Sequence, residues 1–326
     1  MSETPKPAAK RPSKRQSQPS GAPLPPASAG QRCGFVAIIG APNAGKSTLV
    51  NALVGAKITI VSRKVQTTRV PIRGIAIEGL SQLVFIDTPG LFAPRRRLDR
   101  AMVDAASSAA GDADIVALLV DAERGINEDV ERILESLKQI GTPRLLVLNK
   151  IDTLKKDKLL PLIADLNKRH PFTETFNISA LKGSGVAELR AILGRMVPEG
   201  PWHYPADEIT DANERLTAAE ITREKIYAYL HEELPYAATV ETSGWKELRD
   251  GGVRIEQTIF VEREGQRAIV LGEGGRTIKH LSVQARTELA EMFGRPVHLF
   301  LFVKVREGWE NDPERYREMG LEFPKD

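Results

Sequence analysis

Gly40-Ala41-Pro42-Asn43-Ala44-Gly45-Lys46-Ser47 follows directly on the apolar run Phe35-Val36-Ala37-Ile38-Ile39, and Thr48-Leu49-Val50-Asn51-Ala52-Leu53 comes next with the pattern of a helix. The reading is a strand, a glycine loop and a helix. A polyphosphate is crowded with anionic oxygens, so holding one takes several backbone N–H groups turned into one concavity, a helix N-terminus and a mobile ammonium. Gly40, Asn43, Ala44, Gly45, Lys46, Ser47 and Thr48 supply that set. Lys46 is expected to reach the outer phosphates, and the Ser47 hydroxyl to enter the shell of a magnesium ion bridging them.

Working outward, Leu83-Val84-Phe85-Ile86, Ile115 to Val120 and Leu145 to Leu148 are short, continuous apolar runs. Helical patterns over 127–140 and 157–169 separate them. Such runs read as strands buried on both faces, which predicts an α/β domain with a mostly parallel sheet and ligands at the carboxyl ends of its strands.

At 326 residues the chain has room for about two domains. Its 41% hydrophobic and 27% charged residues fit a soluble globular protein. Cys33 is the one cysteine, no Cys/His cluster has metal-ligand spacing, no apolar run reaches membrane-spanning length, and the first residues lack the core of a secretion signal. A cytoplasmic location is expected. Residues 1–31 are rich in Pro, Ala and Ser and read as a disordered tail. Their Lys6, Lys10, Arg11, Lys14 and Arg15 stand against Glu3, a tail charge of +4 in a chain of +3, so the remainder carries about −1. The tail reads as a solvated leader, or as a weak electrostatic arm for RNA.

Three more strand ends carry chemistry. In Asp87-Thr88-Pro89-Gly90 the carboxylate can serve magnesium, and the Gly90 N–H can sense a terminal phosphate. In Asn149-Lys150-Ile151-Asp152 the Asp152 carboxylate can accept from the paired N1–H and 2-amino group of guanine, a donor pair that adenine lacks. Ser179-Ala180-Leu181, after a strand-like stretch over 172–178, can add a backbone N–H for the guanine carbonyl.

With these motifs in order, the chain resembles the translation-factor-related GTPases, and more narrowly the Era family of ribosome-associated GTPases, from about Phe35 to its end. Ile60-Val61-Ser62-Arg63-Lys64-Val65-Gln66-Thr67-Thr68-Arg69 is similar to the family's switch segment, where a Thr closes onto magnesium when the terminal phosphate is present; position assigns this to Thr68, with Thr67 as the alternative. Lys46, Thr68 and Gly90 are then the candidate catalytic residues, and Ser47, Thr68 and Asp87 the metal ligands. The residue after Gly90 is Leu91, which has no donor or acceptor to orient water. The resemblance implies an apolar residue there, and a potassium ion held at the Asn43 position in place of an arginine finger; Asn43 otherwise reads as a turn residue.

Pro198-Glu199-Gly200-Pro201-Trp202-His203-Tyr204-Pro205 breaks the α/β pattern. The expected division is a GTPase domain over 32–197, a linker over 198–214 and a second domain over 215–326. The second domain is predicted to open with a helix over 216–234, followed by strands over 238–241 and 254–262, a helix over 282–293 and a strand over 297–305. Between them stands Gly272-Glu273-Gly274-Gly275, followed by Arg276 and Lys279. A Gly-x-x-Gly loop between helices admits a nucleic-acid backbone, as KH domains do for about four nucleotides. This part resembles the type II KH domain of Era proteins, although Glu273 puts a carboxylate where phosphate would approach.

The resemblance implies hydrolysis of GTP to GDP and phosphate, with GTP/GDP, Mg2+ and K+ as cofactors. It also implies binding to the 3′ region of 16S ribosomal RNA in assembly of the small (30S) subunit, peripheral membrane association and a monomer. Two rivals remain: a tRNA-modification or double-domain GTPase, which a single motif set and the Gly-x-x-Gly loop oppose, and an RNA-binding scaffold with GTP as a structural ligand, which Leu91 leaves open.

Overall fold

The structure, a computed structural model, describes residues 29–324. The tail expected over 1–31 lies outside them as far as residue 28. Its last residue is tied down, since the Gln31 carbonyl accepts from Gly200 N at 3.0 Å.

The first half alternates strands and helices: β1 (Arg32–Gly40), α1 (Lys46–Val54), β2 (Ile72–Glu78), β3 (Ser81–Asp87), α2 (Arg97–Asp112), β4 (Ile115–Asp121), α3 (Glu128–Leu137), β5 (Arg144–Asn149), α4 (Lys156–Arg169), β6 (Glu174–Asn177) and α5 (Val186–Met196). The strands form one sheet in the order β2-β3-β1-β4-β5-β6, parallel except for β2 against β3. Helices cover both faces, so β4, whose seven residues are all buried, needs apolar side chains at every position. Between β3 and β4 lies β1, where the strand order reverses direction; the crevice outside its carboxyl end is where such sheets take ligands. Helix α3 illustrates local encoding. Asn127 caps it through Oδ1 to Val130 N at 3.0 Å, Glu128, Asp129 and Glu131 favour the positive helix end, and Val130, Ile133, Leu134 and Leu137 make the buried stripe.

The second half contains α6 (Glu214–Tyr229), α7 (Leu234–Ala237), β7 (Thr239–Glu247), β8 (Val253–Val261), α8 (Glu264–Leu271), α9 (Arg276–Phe293), β9 (Val297–Val305) and α10 (Pro313–Glu318). Its sheet runs β7-β8-β9, antiparallel then parallel. The helix expected to reach Leu234 ends at Tyr229: Leu230 is extended, Glu232 takes a positive φ of 56°, and Pro235 opens a separate turn. The helix expected from Ser282 begins at Arg276, because Gly275 turns the chain directly into it. The first strand runs on to Glu247, through a bulge between Thr242 and Gly244.

The stretch expected as a linker is built onto the first half. Arg32 bridges to Glu199 and Gly74 to Thr210, while Gln82 Nε2 donates to Tyr204 O at 2.8 Å. The halves also exchange residues. Ile60 packs with Ala218, Ile221 and Val253, whereas Trp309, Tyr316 and Leu321 from the end of the chain share a core with Leu98, Ala101 and Met102 of α2. Full burial of a side chain such as Ile60 is worth at most about 1.5–3 kcal/mol.

Candidate functional site: a phosphate cleft beside a buried carboxylate

The glycine loop turns sharply between β1 and α1. Asn43 has φ 64° and Gly45 φ 98°, and a Cβ at Gly40 would collide with the Leu119 carbonyl, one at Gly45 with the Asn149 amide. No side chain caps α1, so its first N–H groups face the cleft. Lys46 is buried, donating to Gly40 O at 3.1 Å and Ala41 O at 3.2 Å. Burial brings its pKa down to about 8, and the neighbouring Asp87 opposes the fall. Asn43, Lys46, Ser47 and Thr48, together with Val61, Gln66, Thr68 and Gly90, line one open cleft.

Asp87, at the end of β3, is fully buried, and its Oδ2 collects three hydroxyls: Ser47 at 2.7 Å, Thr59 at 2.7 Å and Thr68 at 3.2 Å. The Ser47 and Thr68 oxygens are 2.8 Å apart. Asp87 Oδ1 has no hydrogen-bond partner among the described residues. Burial raises the carboxyl above its ordinary range, and the hydroxyls and Lys46 pull it back. One carboxylate with an unused oxygen beside two hydroxyls is an all-oxygen, incomplete donor set, which fits Mg2+ because that ion keeps room for waters and phosphate oxygens. Of the two switch threonines only Thr68 belongs to the set, since Thr67 Oγ1 donates to Lys64 O at 2.8 Å. Thr59 is a member that sequence reasoning missed; its sole signal is a hydroxyl in an apolar stretch.

Gly90 fits because a Cβ there would crowd Pro42, and Thr88 spends its hydroxyl on Ile38 O at 2.7 Å, with Pro89 buried beside it. Leu91 is buried in the core and its N–H donates to Gly40 O at 3.2 Å. Leu91 is not among the residues that line the cleft.

On the base side, Asn149 works as a staple, donating to Ala44 O at 2.8 Å and accepting from Ala180 N at 2.9 Å. The amide expected from the 179–181 segment is therefore engaged at Ala180, while Leu181 is exposed. Lys150, at positive φ, donates to Asn43 O at 2.8 Å and to Asp121 Oδ2 at 2.6 Å; Asp121, at the end of β4, is a second residue that the motifs did not reveal. Asp152 is held below the usual carboxylate range by the Ser179 hydroxyl, with the Lys182 ammonium 3.3 Å away. It is therefore ionised and ready to accept.

The glycine-rich loop of the second half lies between α8 and α9. Gly272, Gly274 and Gly275 all have positive φ, and a Cβ on Gly272 would strike Thr277, whereas the space around Gly274 is open. Gly275 leaves α9 without a side-chain cap, so no capping side chain takes up its first N–H groups. The Glu273 carboxylate pairs with the Arg276 guanidinium, and Lys279 is exposed one turn on.

Residues 35–150 match a family model described as a 50S ribosome-binding GTPase, and residues 233–310 match a KH domain. A GTPase Era of Bradyrhizobium sp. (strain BTAi1 / ATCC BAA-1182) is 61% identical over 295 residues, covering 90% of this chain and 96% of that relative. One from Afipia carboxidovorans (strain ATCC 49405 / DSM 1227 / KCTC 32145 / OM5) is 63% identical over 295 residues, with the same coverages of 90% and 96%. Among solved structures, Era in complex with MgGDPNP and nucleotides 1506–1542 of 16S ribosomal RNA superposes with a TM-score of 0.85 at 38% identity, covering 89% of this chain and 99% of that one. A variant of Aquifex aeolicus Era bound to GDP and AlF4− has the same TM-score of 0.85 and identity of 38%, with coverages of 89% and 99%.

Proposed function

Since the chain belongs to the Era family of GTPases, we propose that it is a GTP-hydrolysing switch whose carboxyl-terminal KH domain docks on 16S ribosomal RNA during small-subunit assembly. The observation that carries the reading is the convergence of Ser47, Thr68 and Asp87 beside Lys46. In this reading Ser47, Thr68 and Asp87 hold Mg2+, which when bound draws charge from the terminal phosphates. Lys46 leaves Gly40 and Ala41 to meet the outer phosphates and absorb charge as the phosphoanhydride breaks. Thr68, already beside Ser47 and Asp87, closes onto the magnesium when the terminal phosphate is present, and Asp152 selects guanine.

Leu91 does not orient water, so that task falls to groups around the cleft. The Asn43 side chain is the candidate potassium ligand, as the family resemblance suggests. Leu91→Ala should leave basal hydrolysis within about tenfold, or about 1.4 kcal/mol of barrier, while Asn43→Ala should abolish any potassium stimulation. Equal rates in sodium and potassium for the parent would remove the potassium assignment.

The described GTPase model names the 50S subunit but spans only residues 35–150. The RNA partner is better read from the full-length neighbour, whose bound nucleic acid is 16S RNA. Gly272 to Gly275, with Arg276 and Lys279, is the proposed contact. The working division is 32–197 for GTP, 198–214 as connection and 215–326 for RNA. We place the protein in the cytoplasm as a monomer, with peripheral membrane association resting on family resemblance; among the described residues no helix is long and apolar enough to cross a membrane. The first test is affinity for GTP, GDP and ATP with and without Mg2+. Guanine-selective, magnesium-dependent binding supports the reading, and equal binding of ATP overturns it.

A further inference from the structure

We propose that Arg223, on α6, is a positioning residue for hydrolysis: it holds the switch segment so that Thr68 faces the phosphate cleft, with Arg69 anchoring the residue that follows. The inference rests on the GTPase reading above and adds residues to it.

Arg223 is 2% exposed, and its Nη2 donates across the junction of the two halves to the Thr67 carbonyl at 2.5 Å. The same guanidinium pairs with Glu220 and lies 5.3 Å from the centroid of the Tyr227 ring, whose hydroxyl donates to Gln66 O at 3.2 Å. The buried Arg69 donates to Ala238 O at 2.9 Å and Tyr236 O at 3.0 Å, reaches the same Tyr227 hydroxyl at 3.4 Å, and stacks over Trp309 at 5.6 Å. Residues 66, 67 and 69 are thus anchored in the second half, and residue 68 between them turns to Ser47 and Asp87. A peptide clamped at the carbonyl before Thr68 and by the side chain after it has little rotational freedom.

Packing alone does not account for Arg223. Burying a guanidinium opposes stability, and an apolar side chain of similar volume fills such a site at least as well. One of its donors, Nη1, has no hydrogen-bond partner among the described residues. What a shape-matched apolar residue cannot do is grip the Thr67 carbonyl. Any motion of α6 as the second half engages RNA therefore pulls on the residue beside Thr68.

The test compares the full-length parent with Arg223→Met, Arg223→Lys and Glu288→Gln, measuring kcat and KM for GTP, GDP affinity and cooperative melting. Glu288 pairs with Lys57 and Lys225 at the same junction, and among the described residues no hydrogen bond or ion pair joins it to residues 66–69, so its variant controls for a loosened interface. Arg223→Met should lower kcat about tenfold or more with GDP affinity within about twofold, and Arg223→Lys, which keeps charge but loses the fork, should recover part of kcat. Glu288→Gln should keep the parental kcat. The assignment is overturned if Arg223→Met keeps the parental kcat, or if Glu288→Gln loses as much. Should the Met variant not melt cooperatively, the Lys variant decides: an intermediate kcat supports the assignment and a parental one overturns it. A parent that fails to hydrolyse GTP sinks the GTPase reading itself, a result visible before any variant is compared.

Discussion

Ser47 Oγ and Thr68 Oγ1, 21 residues apart in sequence, stand 2.8 Å from each other against the same buried oxygen of Asp87. The segment proposed to close over a nucleotide and the loop proposed to cradle phosphate meet at that point. The neighbouring Thr67 turns its hydroxyl back to Lys64. Thr68→Val should therefore lower kcat for GTP at least about tenfold, the scale of one charge-assisted contact, while Thr67→Val stays within about threefold. Single-turnover hydrolysis at saturating magnesium separates them, and equal losses would contradict the assignment of Thr68.

Lys46 yields a pH dependence of defined sign. With its pKa near 8 in the nucleotide-free protein, the amine loses its proton progressively above that pH, and a polyphosphate must restore it. Nucleotide binding should take up protons around pH 8 to 9, and affinity should fall as pH rises through that window. Calorimetry in buffers of different ionisation enthalpy reads the uptake. No uptake between pH 7.5 and 9.5 would show that the ammonium is already fully charged before binding.

How legible all this was depended on the kind of signal. The runs that became β3, β4 and β5 are buried on both faces, so each strand announces itself by a continuous apolar run, and those of β3 and β5 end at a motif. The edge strand β2 does not, because Arg73 and Gly74 interrupt it and one side meets the 198–214 segment. Helix α2 is hidden for another reason: much of its buried stripe is Ala101, Ala106 and Ala110, residues too small to stand out by hydrophobicity. Within the site, glycine geometry and charge type marked Lys46, Ser47 and Asp87. Thr59, Asp121 and Arg223 come to it through the fold, because nothing in their own stretches marks them for the site. The return of Trp309 and Tyr316 onto α2 was equally invisible, since only the tertiary path joins them.

On the base side, Asp152→Asn should weaken GTP by about two orders of magnitude and admit xanthosine triphosphate, because the amide now faces a carbonyl where guanine carries an amino group. The change leaves the Asn149 staple untouched. Competition binding with both nucleotides measures it, and unaltered GTP affinity would remove Asp152 from the base contact.

The glycine-rich loop allows a paired test with opposite signs. Gly274 has φ 59° and open space around it. Gly274→Asp adds a side chain and a charge there, and should reduce single-stranded RNA binding about tenfold while hydrolysis without RNA persists. Glu273→Lys frees Arg276 from its carboxylate partner. It should steepen the log-log salt dependence by about 0.7, one phosphate contact on a single strand. Parental binding by both variants across a salt series would move the RNA contact elsewhere.

GTP chemistry and RNA docking belong, in this account, to one device. Phosphate release by the full-length protein, measured with Mg2+ and GTP in the presence and absence of small ribosomal subunits, tests that claim most directly. The expected result is magnesium-dependent release whose rate changes when subunits are added, with that change lost in Gly274→Asp. A protein that binds GTP but releases no phosphate under either condition would contradict it, and would leave the nucleotide as a structural ligand of an RNA-binding scaffold.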